Sequence, residues 1–152
     1  MIIRKAEEKD IKKILDLLDQ VLKIHREIRP DIFCEKTKYN FDDLKQILAN
    51  ENSPIYVAED EDVVGYLMVQ IKMSKGNNLK PRKTYYIDDL CVDENARGKH
   101  IGQTLFGFAI KDAKNRGCDD ITLNVWEGNE QAQSFYKKNG FKTRSSILEY
   151  KL

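Results

Sequence analysis

A short basic segment, Arg97-Gly98-Lys99-His100-Ile101-Gly102, has the composition of a site that holds phosphate groups. Its two glycines let a ligand approach the backbone closely, and its cationic side chains add positive charge. The amphipathic segment that follows predicts a helix, so the basic turn lies at a helix N-terminus. There the first N–H groups lack intrahelical partners and the helix dipole is positive, which favours an anionic ligand.

The basic turn also fits an ordinary connection between a strand and a helix, because the apolar run from Tyr85 to Val92 precedes it. Two common nucleotide-binding motifs, Gly-x-x-x-x-Gly-Lys-Ser/Thr and Gly-x-Gly-x-x-Gly, are not in the sequence. A second cluster of polar and aromatic residues, at 129–141, follows another strand-like run at 121–126. The two clusters together are far more specific than the turn alone.

With both clusters in place, the chain resembles the GCN5-related N-acetyltransferase (GNAT) superfamily. That family has a pyrophosphate loop, Arg/Gln-x-x-Gly-x-Gly/Ala, and a later signature, Asn-x-x-Ala-x-x-Phe-Tyr-x-x-x-Gly-Phe. Residues 97–102 match the loop at its ends, and residues 129–141 match the signature at every fixed position. His100 departs from the family, which usually has glycine there. A side chain at this position would crowd a diphosphate or need an unusual φ, and we expect a tolerated substitution.

The elements that must position these residues follow the order βααβββαβαβ, which is the order of the GNAT fold. The resemblance implies one N-acetyltransferase domain over residues 1–152, of the α/β (α+β) class. Its mixed central sheet is splayed between the middle strands and carries helices on both faces. The sequence pattern predicts an edge strand at 1–6, helices at 8–29 and 41–49, a hairpin of 54–59 and 63–73, a central strand, a helix to Arg116, a strand ending near Trp126, a helix at 129–139 and a final strand to Leu152.

Composition excludes several classes of protein. Charged residues make up 34% of the 152 residues but the net charge is +1, which argues against a nucleic-acid binder. No apolar run is long enough to span a bilayer, so we expect no membrane partner. Three widely spaced cysteines indicate reduced thiols and a cytoplasmic protein, and two histidines make a metal site improbable.

The resemblance implies acetyl-CoA as cosubstrate, with no metal. In the family, backbone groups that follow a bulge in the central strand bind the pantetheine arm, and loop amides bind the pyrophosphate. Asn129 is expected to contact the pantetheine, to cap its helix, or both. The implied cofactor-binding residues are Leu90, Cys91, Val92, Arg97, Gly98, Lys99, His100, Ile101, Gly102, Gln103 and Asn129.

Two residues are predicted to act in catalysis. Tyr136 matches the family's tyrosine that protonates the departing CoA thiolate, a step that suits a phenol with a pKa near 10. The pattern around Asp88 resembles the spermidine/spermine branch, in which a glutamate at this position helps to deprotonate the acceptor amine. Asp88 is equally well interpreted as a structural carboxylate paired with a neighbouring cation. Because neighbouring strand residues point to opposite faces, at most one of Asp88 and Asp89 is expected to face the acceptor.

The sequence therefore predicts an acetyl-CoA-dependent N-acetyltransferase that works by direct transfer in a ternary complex. The expected acceptor is a primary amine of a small molecule, such as a polyamine or diamine. Alternatives are a protein, peptide or aminoglycoside acceptor, and a non-catalytic acyl-CoA-binding sensor domain. A homodimer is expected by resemblance to small members of the family.

Overall fold

A computed structural model describes residues 1–152. Two short 3-10 turns, Glu8–Asp10 and Glu94–Ala96, precede α1 and α3 respectively. The elements are β1 (Ile2–Lys5), α1 (Ile11–Ile28), α2 (Phe41–Leu48), β2 (Ile55–Asp60), β3 (Asp62–Met73), β4 (Lys83–Val92), α3 (Ile101–Asn115), β5 (Asp120–Leu123) and α4 (Glu130–Lys138).

The five strands form one mixed sheet in the order β1-β2-β3-β4-β5. The first four strands pair antiparallel, whereas β5 pairs parallel to β4. One apolar cluster packs α1 and α2 on one face of this sheet, and a second packs α3 on the other face together with Phe135 of α4. The expected α/β fold with helices on both faces is confirmed.

The long helix α1 forms because its apolar residues recur at helical spacing along one side. Ile11, Ile14 and Leu18 on that side are almost fully buried against the sheet. The helix ends at Ile28, before Pro30, because the residue before a proline avoids helical geometry. The predicted limit of this helix is therefore close to the observed one.

The middle of the sheet contains a bulge and then a gap. Met68 pairs with Asp89 whereas Val69 pairs with Ile87, so Asp88 is an extra residue on β4. Pairing between β4 and β5 stops at Ile87 and Leu123. Beyond that point, residues 88–92 of β4 have no partner on the β5 side, which is the splay that the resemblance implied.

Two strand predictions need correction. The predicted final strand to Leu152 does not form, because residues 142–152 have no regular secondary structure and no partner strand. The strand predicted to end near Trp126 stops at Leu123, where β4 diverges and no longer supplies hydrogen bonds. No helix combines the length and the apolar character that crossing a membrane requires.

Candidate active site

The basic loop lies at the N-terminus of α3, as predicted. His100 precedes the helix with φ of 60°, in the left-handed region. Histidine is among the residues that adopt this conformation more often than most, so the substitution for glycine is sterically accommodated. Its Nδ1 lies 3.0 Å from Oε1 of Gln103, which keeps the ring beside the first turn. Arg97, Gly98 and Lys99 are exposed, so the loop faces solvent.

Gly102 packs closely against α4 and β4 inside the protein. A Cβ atom at this position would lie 3.3 and 3.4 Å from two ring atoms of Phe135 and 3.8 Å from a Val92 methyl group. The missing side chain therefore lets α3 approach α4, and it couples the loop to the helix that carries Tyr136. This role differs from the close approach of a ligand that the sequence suggested.

The segment of β4 after the bulge forms one wall of the gap. Leu90 and Val92 pack against the cluster around α3, whereas Cys91 is buried on the opposite face. The Cys91 thiol lies 3.7 Å from the Leu17 carbonyl oxygen, and burial raises its pKa to about 12. These side chains have core roles, so what the strand offers to a ligand in the gap is its backbone edge.

Asn129 caps the helix that carries Tyr136. Its side-chain oxygen accepts a hydrogen bond of 3.3 Å from the Ala132 N–H, which confirms the capping role and leaves the pantetheine contact a prediction. The Tyr136 ring makes edge contacts with Phe135 and Phe141, at centroid distances of 5.3 and 5.4 Å. The aromatic neighbours fix the direction of the ring.

The Tyr136 hydroxyl has no hydrogen-bond partner within the chain, unlike the hydroxyls of Tyr39, Tyr56, Tyr66 and Tyr85. Removal from water raises the pKa of Tyr136, and the negative charge of Asp89 raises it further. This phenol therefore stays protonated at neutral pH and keeps a proton available for a ligand in the gap.

Asp88 and Asp89 lie on the same face of the sheet, so the prediction that they point to opposite faces is wrong. Asp88 accepts hydrogen bonds of 2.7 Å from both Lys38 and Tyr39 in the loop between α1 and α2. Asp89 accepts one of 2.6 Å from Tyr66, which packs in the cluster around those helices. The bulge is the physical reason, because an extra residue breaks the alternation of side chains.

The two carboxylates differ in their surroundings. Desolvation raises the pKa of Asp89, and the hydrogen bond from Tyr66 opposes this shift. The Asp88 side chain is 7% exposed and is paired with Lys38, whose own side chain is 49% exposed. Beside Asp88 is a pocket of about 170 Å³, lined among others by Tyr39, Met68 and Gln70.

An aromatic cluster lies in the region where β5 ends. The rings of His25 and Phe33 stack at 5.0 Å, and Trp126 meets Phe33 edge-on at 5.0 Å. Desolvation and the nearby Lys38 lower the pKa of His25. Trp126 therefore packs against rings from α1 and from the loop that follows it.

Sequence analysis missed three residues at this site, namely Lys38, Tyr39 and Tyr66. Lys38 and Tyr39 come 50 and 49 residues before Asp88, and Tyr66 comes 23 residues before Asp89. Tyr66 is on the strand next to β4. Pairing these two strands was therefore the one way in which the sequence could have placed Tyr66 near Asp89. No local pattern marks the other two.

Comparison with known proteins identifies the family. The sequence profile described as "Acetyltransferase (GNAT) family" matches residues 18–141. An uncharacterized N-acetyltransferase of Bacillus subtilis, YhfO, is 28% identical over 99% of this chain and 95% of its own length. Thialysine N-epsilon-acetyltransferase of Bos taurus is 29% identical over 92% of this chain and 83% of its own length. The crystal structure of a mutant BH1408 protein from Bacillus halodurans superposes with a TM-score of 0.96. It is 32% identical and covers 100% of this chain and 99% of that one.

The chain belongs to the GNAT family and is an N-acetyltransferase. Enzymes of this family take the acetyl group from acetyl-CoA, and they act on acceptor substrates that differ from member to member.

Proposed function

We propose that this enzyme transfers acetyl from acetyl-CoA directly to a primary amine of a small molecule, within a ternary complex. One observation carries the proposal. The Tyr136 phenol, which no protein group engages, is close enough to Asp89 for that carboxylate to raise its pKa, where β4 and β5 separate. A phenol with an unengaged proton thus lies on the helix that packs, through Phe135, near Gly102 and Val92, beside the part of β4 beyond the break.

The residues around the gap fit the parts of acetyl-CoA. The free N–H groups at the start of α3, with Arg97 and Lys99 beside them, have the charge and geometry for the diphosphate. The unpaired edge of β4 from Leu90 to Val92 offers backbone groups to the pantetheine amides. Asn129 still has its amide N–H₂ free for the same arm, since its cap uses the oxygen.

In the proposed step the neutral acceptor nitrogen attacks the thioester carbonyl, a C–N bond forms and the C–S bond breaks. The leaving thiolate takes its proton from Tyr136, whose raised pKa keeps it protonated until the thiolate develops. The acceptor ammonium first loses one proton to Asp88, directly or through an ordered water, and the nitrogen loses a second proton to solvent after the C–N bond has formed. Tyr136 then regains a proton from solvent and Asp88 releases its own, so the enzyme returns to its starting state and the net reaction releases one proton.

The acceptor is proposed to be a cationic amine of the polyamine or diamine kind. Asp88 and Asp89 face the same side, so an acceptor that enters from the α1–α2 loop would meet two carboxylates, of which Asp88 is paired with Lys38. The 2.7 Å contact between the Lys38 ammonium and Asp88 is the kind of contact that a cationic acceptor would make in its place. The similarity to an enzyme named for the ε-amine of thialysine, a small amino acid, supports the same class of acceptor.

The odd number of cysteines supports the proposed cytoplasmic location.

The first experiment measures CoA thiol release from acetyl-CoA with separate panels of acceptors. The panels are diamines and polyamines, amino acids with a side-chain amine, aminoglycosides, and peptides with free lysines. Release with the small amines alone supports the proposal. Release with peptides or aminoglycosides alone overturns the acceptor class, and acetyl-CoA binding without release from any panel supports a sensor domain.

A charge-removal series tests the two carboxylates. Asp88→Asn and Asp89→Asn are each expected to raise KM for a diamine at least about tenfold, since each removes a charge-assisted contact. Asp19→Asn, on the exposed side of α1, is the matched control and leaves KM unchanged. If both cleft variants keep the KM of the unaltered enzyme, the carboxylates do not bind the acceptor.

A further inference from the structure

Lys38 places a primary ammonium group on the carboxylate that the proposed function assigns to the acceptor. Its Nζ atom lies 2.7 Å from one Asp88 oxygen, and the Asp88 side chain is otherwise almost buried. A diamine or polyamine would bring the same chemical group to the same oxygen. Lys38 therefore occupies the position of an acceptor amine, and this amine belongs to the chain itself.

The Lys38 ammonium group lies where the sheet opens. Asp88 follows Ile87, the last residue of β4 that pairs with β5, so Lys38 meets β4 at the start of the gap. Burial lowers the pKa of His25, and the Lys38 charge lowers it further, so the ammonium group is also near this ring. His25 packs with the aromatic cluster where β5 ends. The Lys38 amine is thus close to both walls of the gap.

Asp89 connects this amine electrostatically with the proposed proton donor. Burial raises the pKa of Asp89, and the Lys38 charge opposes that shift. Burial also raises the pKa of Tyr136, and the Asp89 charge raises it further. Because Coulomb interactions weaken with distance, Lys38 and Tyr136 both lie near this one carboxylate.

Tyr39 holds the α1–α2 loop in the position that keeps Lys38 on Asp88. The Tyr39 hydroxyl donates a hydrogen bond of 2.7 Å to the second Asp88 oxygen, and its ring lines the adjacent pocket with Ile47 and Met68. The Lys38 side chain is itself half-exposed, so its flexible stem is free to carry the amine from Asp88 into the gap. An amine held beside the site in this way reacts as if it were present at a very high concentration.

We propose that Lys38 is a self-acetylation site, at which the enzyme transfers one acetyl group from acetyl-CoA to its own chain when no acceptor is bound. The inference rests on the proposed function, because it uses the same carboxylate and the same proton donor. It adds a covalent modification of the enzyme, at a residue outside the motifs of the sequence.

The reaction at Lys38 follows the same steps as the transfer to a free amine. The ammonium group loses one proton to Asp88 along their hydrogen bond, and the neutral nitrogen attacks the thioester carbonyl. The C–N bond forms, the C–S bond breaks, and the leaving thiolate takes the Tyr136 proton. The nitrogen then loses a second proton to solvent. Tyr136 regains a proton, Asp88 releases its own, and the net reaction releases one proton.

Acetylation removes the ion pair that placed the amine at the site. Nε-acetyl-lysine carries no charge, so it forms no ion pair with Asp88. The Asp88 carboxylate keeps the hydrogen bond from Tyr39 and becomes open to a cationic acceptor. Each chain is therefore modified once, and the modified enzyme continues with free amines.

The test follows acetylation of the full chain by intact mass spectrometry and peptide mapping. The chain is first treated with a lysine deacetylase and is then incubated with acetyl-CoA and no acceptor. Lys38 is expected to gain one acetyl group at a rate that does not change with protein concentration, because amine and site are in the same chain. Lys36, an exposed lysine of the same loop, is the internal control and is expected to react at least about tenfold slower.

Two variants separate enzymatic from spontaneous acetylation. Tyr136→Phe is expected to slow acetylation of Lys38 at least about a hundredfold, because it lacks the general acid, and to leave Lys36 unaffected. Lys38→Arg keeps a cation beside Asp88 and is expected to remain unmodified at its other lysines. Equal acetylation of Lys36 and Lys38, a rate that rises with protein concentration, or a rate that Tyr136→Phe leaves unchanged would each overturn the inference.

The acceptor panels distinguish failure of this inference from failure of the proposed function. Thiol release with a diamine, while Lys38 stays unmodified in the absence of acceptor, overturns self-acetylation alone. If neither Lys38 nor any added amine gains an acetyl group, the inference and the proposed function both fail.

Discussion

Tyr136→Phe removes one oxygen atom that no group of the free protein binds. The hydroxyl makes no hydrogen bond within the chain, and its raised pKa reflects removal from water. Its loss therefore leaves no orphaned partner, and we expect the free energy of unfolding to change by less than about 0.5 kcal/mol. The ring contacts with Phe135 and Phe141 stay as they are.

The expected effect on catalysis is much larger, because general acid catalysis contributes roughly 10²–10⁴-fold to a rate. That range corresponds to about 2.7–5.4 kcal/mol of transition-state stabilisation. The measurements are kcat from thiol release, the acetyl-CoA dissociation constant from calorimetry, and unfolding in urea. We expect kcat to fall at least about a hundredfold while the dissociation constant changes less than about threefold.

Tyr66→Phe is the matched comparison, since this hydroxyl donates a 2.6 Å hydrogen bond to Asp89. Removing it leaves a desolvated carboxylate without its donor, so stability is expected to fall by about 1–3 kcal/mol. A Tyr136→Phe enzyme with a kcat within threefold of the original would refute the general-acid role. A large loss of stability in the same variant would refute the structural reasoning, because it would reveal a partner for the hydroxyl.

Three further predictions test the loop at the start of α3 and the ion pair between Arg4 and Asp10, whose nearest charged atoms are 2.7 Å apart. Gly102→Ala places a Cβ 3.3 Å from the Phe135 ring, at a helical position where alanine itself is favoured by about 1 kcal/mol, so urea unfolding should show a net loss of about 1 kcal/mol; a gain in stability would contradict the packing role. His100→Gly relieves about 1–2 kcal/mol of left-handed strain but gains unfolded-state entropy of about 0.5–1 kcal/mol, so stability should rise by about 1 kcal/mol or less. In that variant, a tenfold weaker affinity for CoA would show that the imidazole binds the ligand. The Arg4 guanidinium holds the pKa of Asp10 below its usual range, so stability is present above about pH 4 and falls as the pH drops further. Urea unfolding from pH 7 to pH 3 should show this fall, and Arg4→Met should flatten it.

Most of the fold was predictable because its elements have strong local signals. The apolar stripe of α1, the apolar runs of β2 and β3, and the Asn129 cap of α4 all act within a few residues of chain. The tail was also predicted to be a strand. That prediction failed because a strand needs a neighbour, and no local pattern shows whether the neighbour is in the same chain.

The site residues that belong to a motif could be predicted from the sequence. The residues that only the folded geometry brings together could not. Tyr136 and the loop from Arg97 to Gly102 came from residue types at fixed spacing. Asp88 and Asp89 face the same side because one unpaired residue in β4 changes the alternation of side chains along the strand. Amino-acid composition does not indicate such a bulge. The contacts of Asp88 with Lys38 and Tyr39 join distant parts of the chain, so no window of sequence contains them.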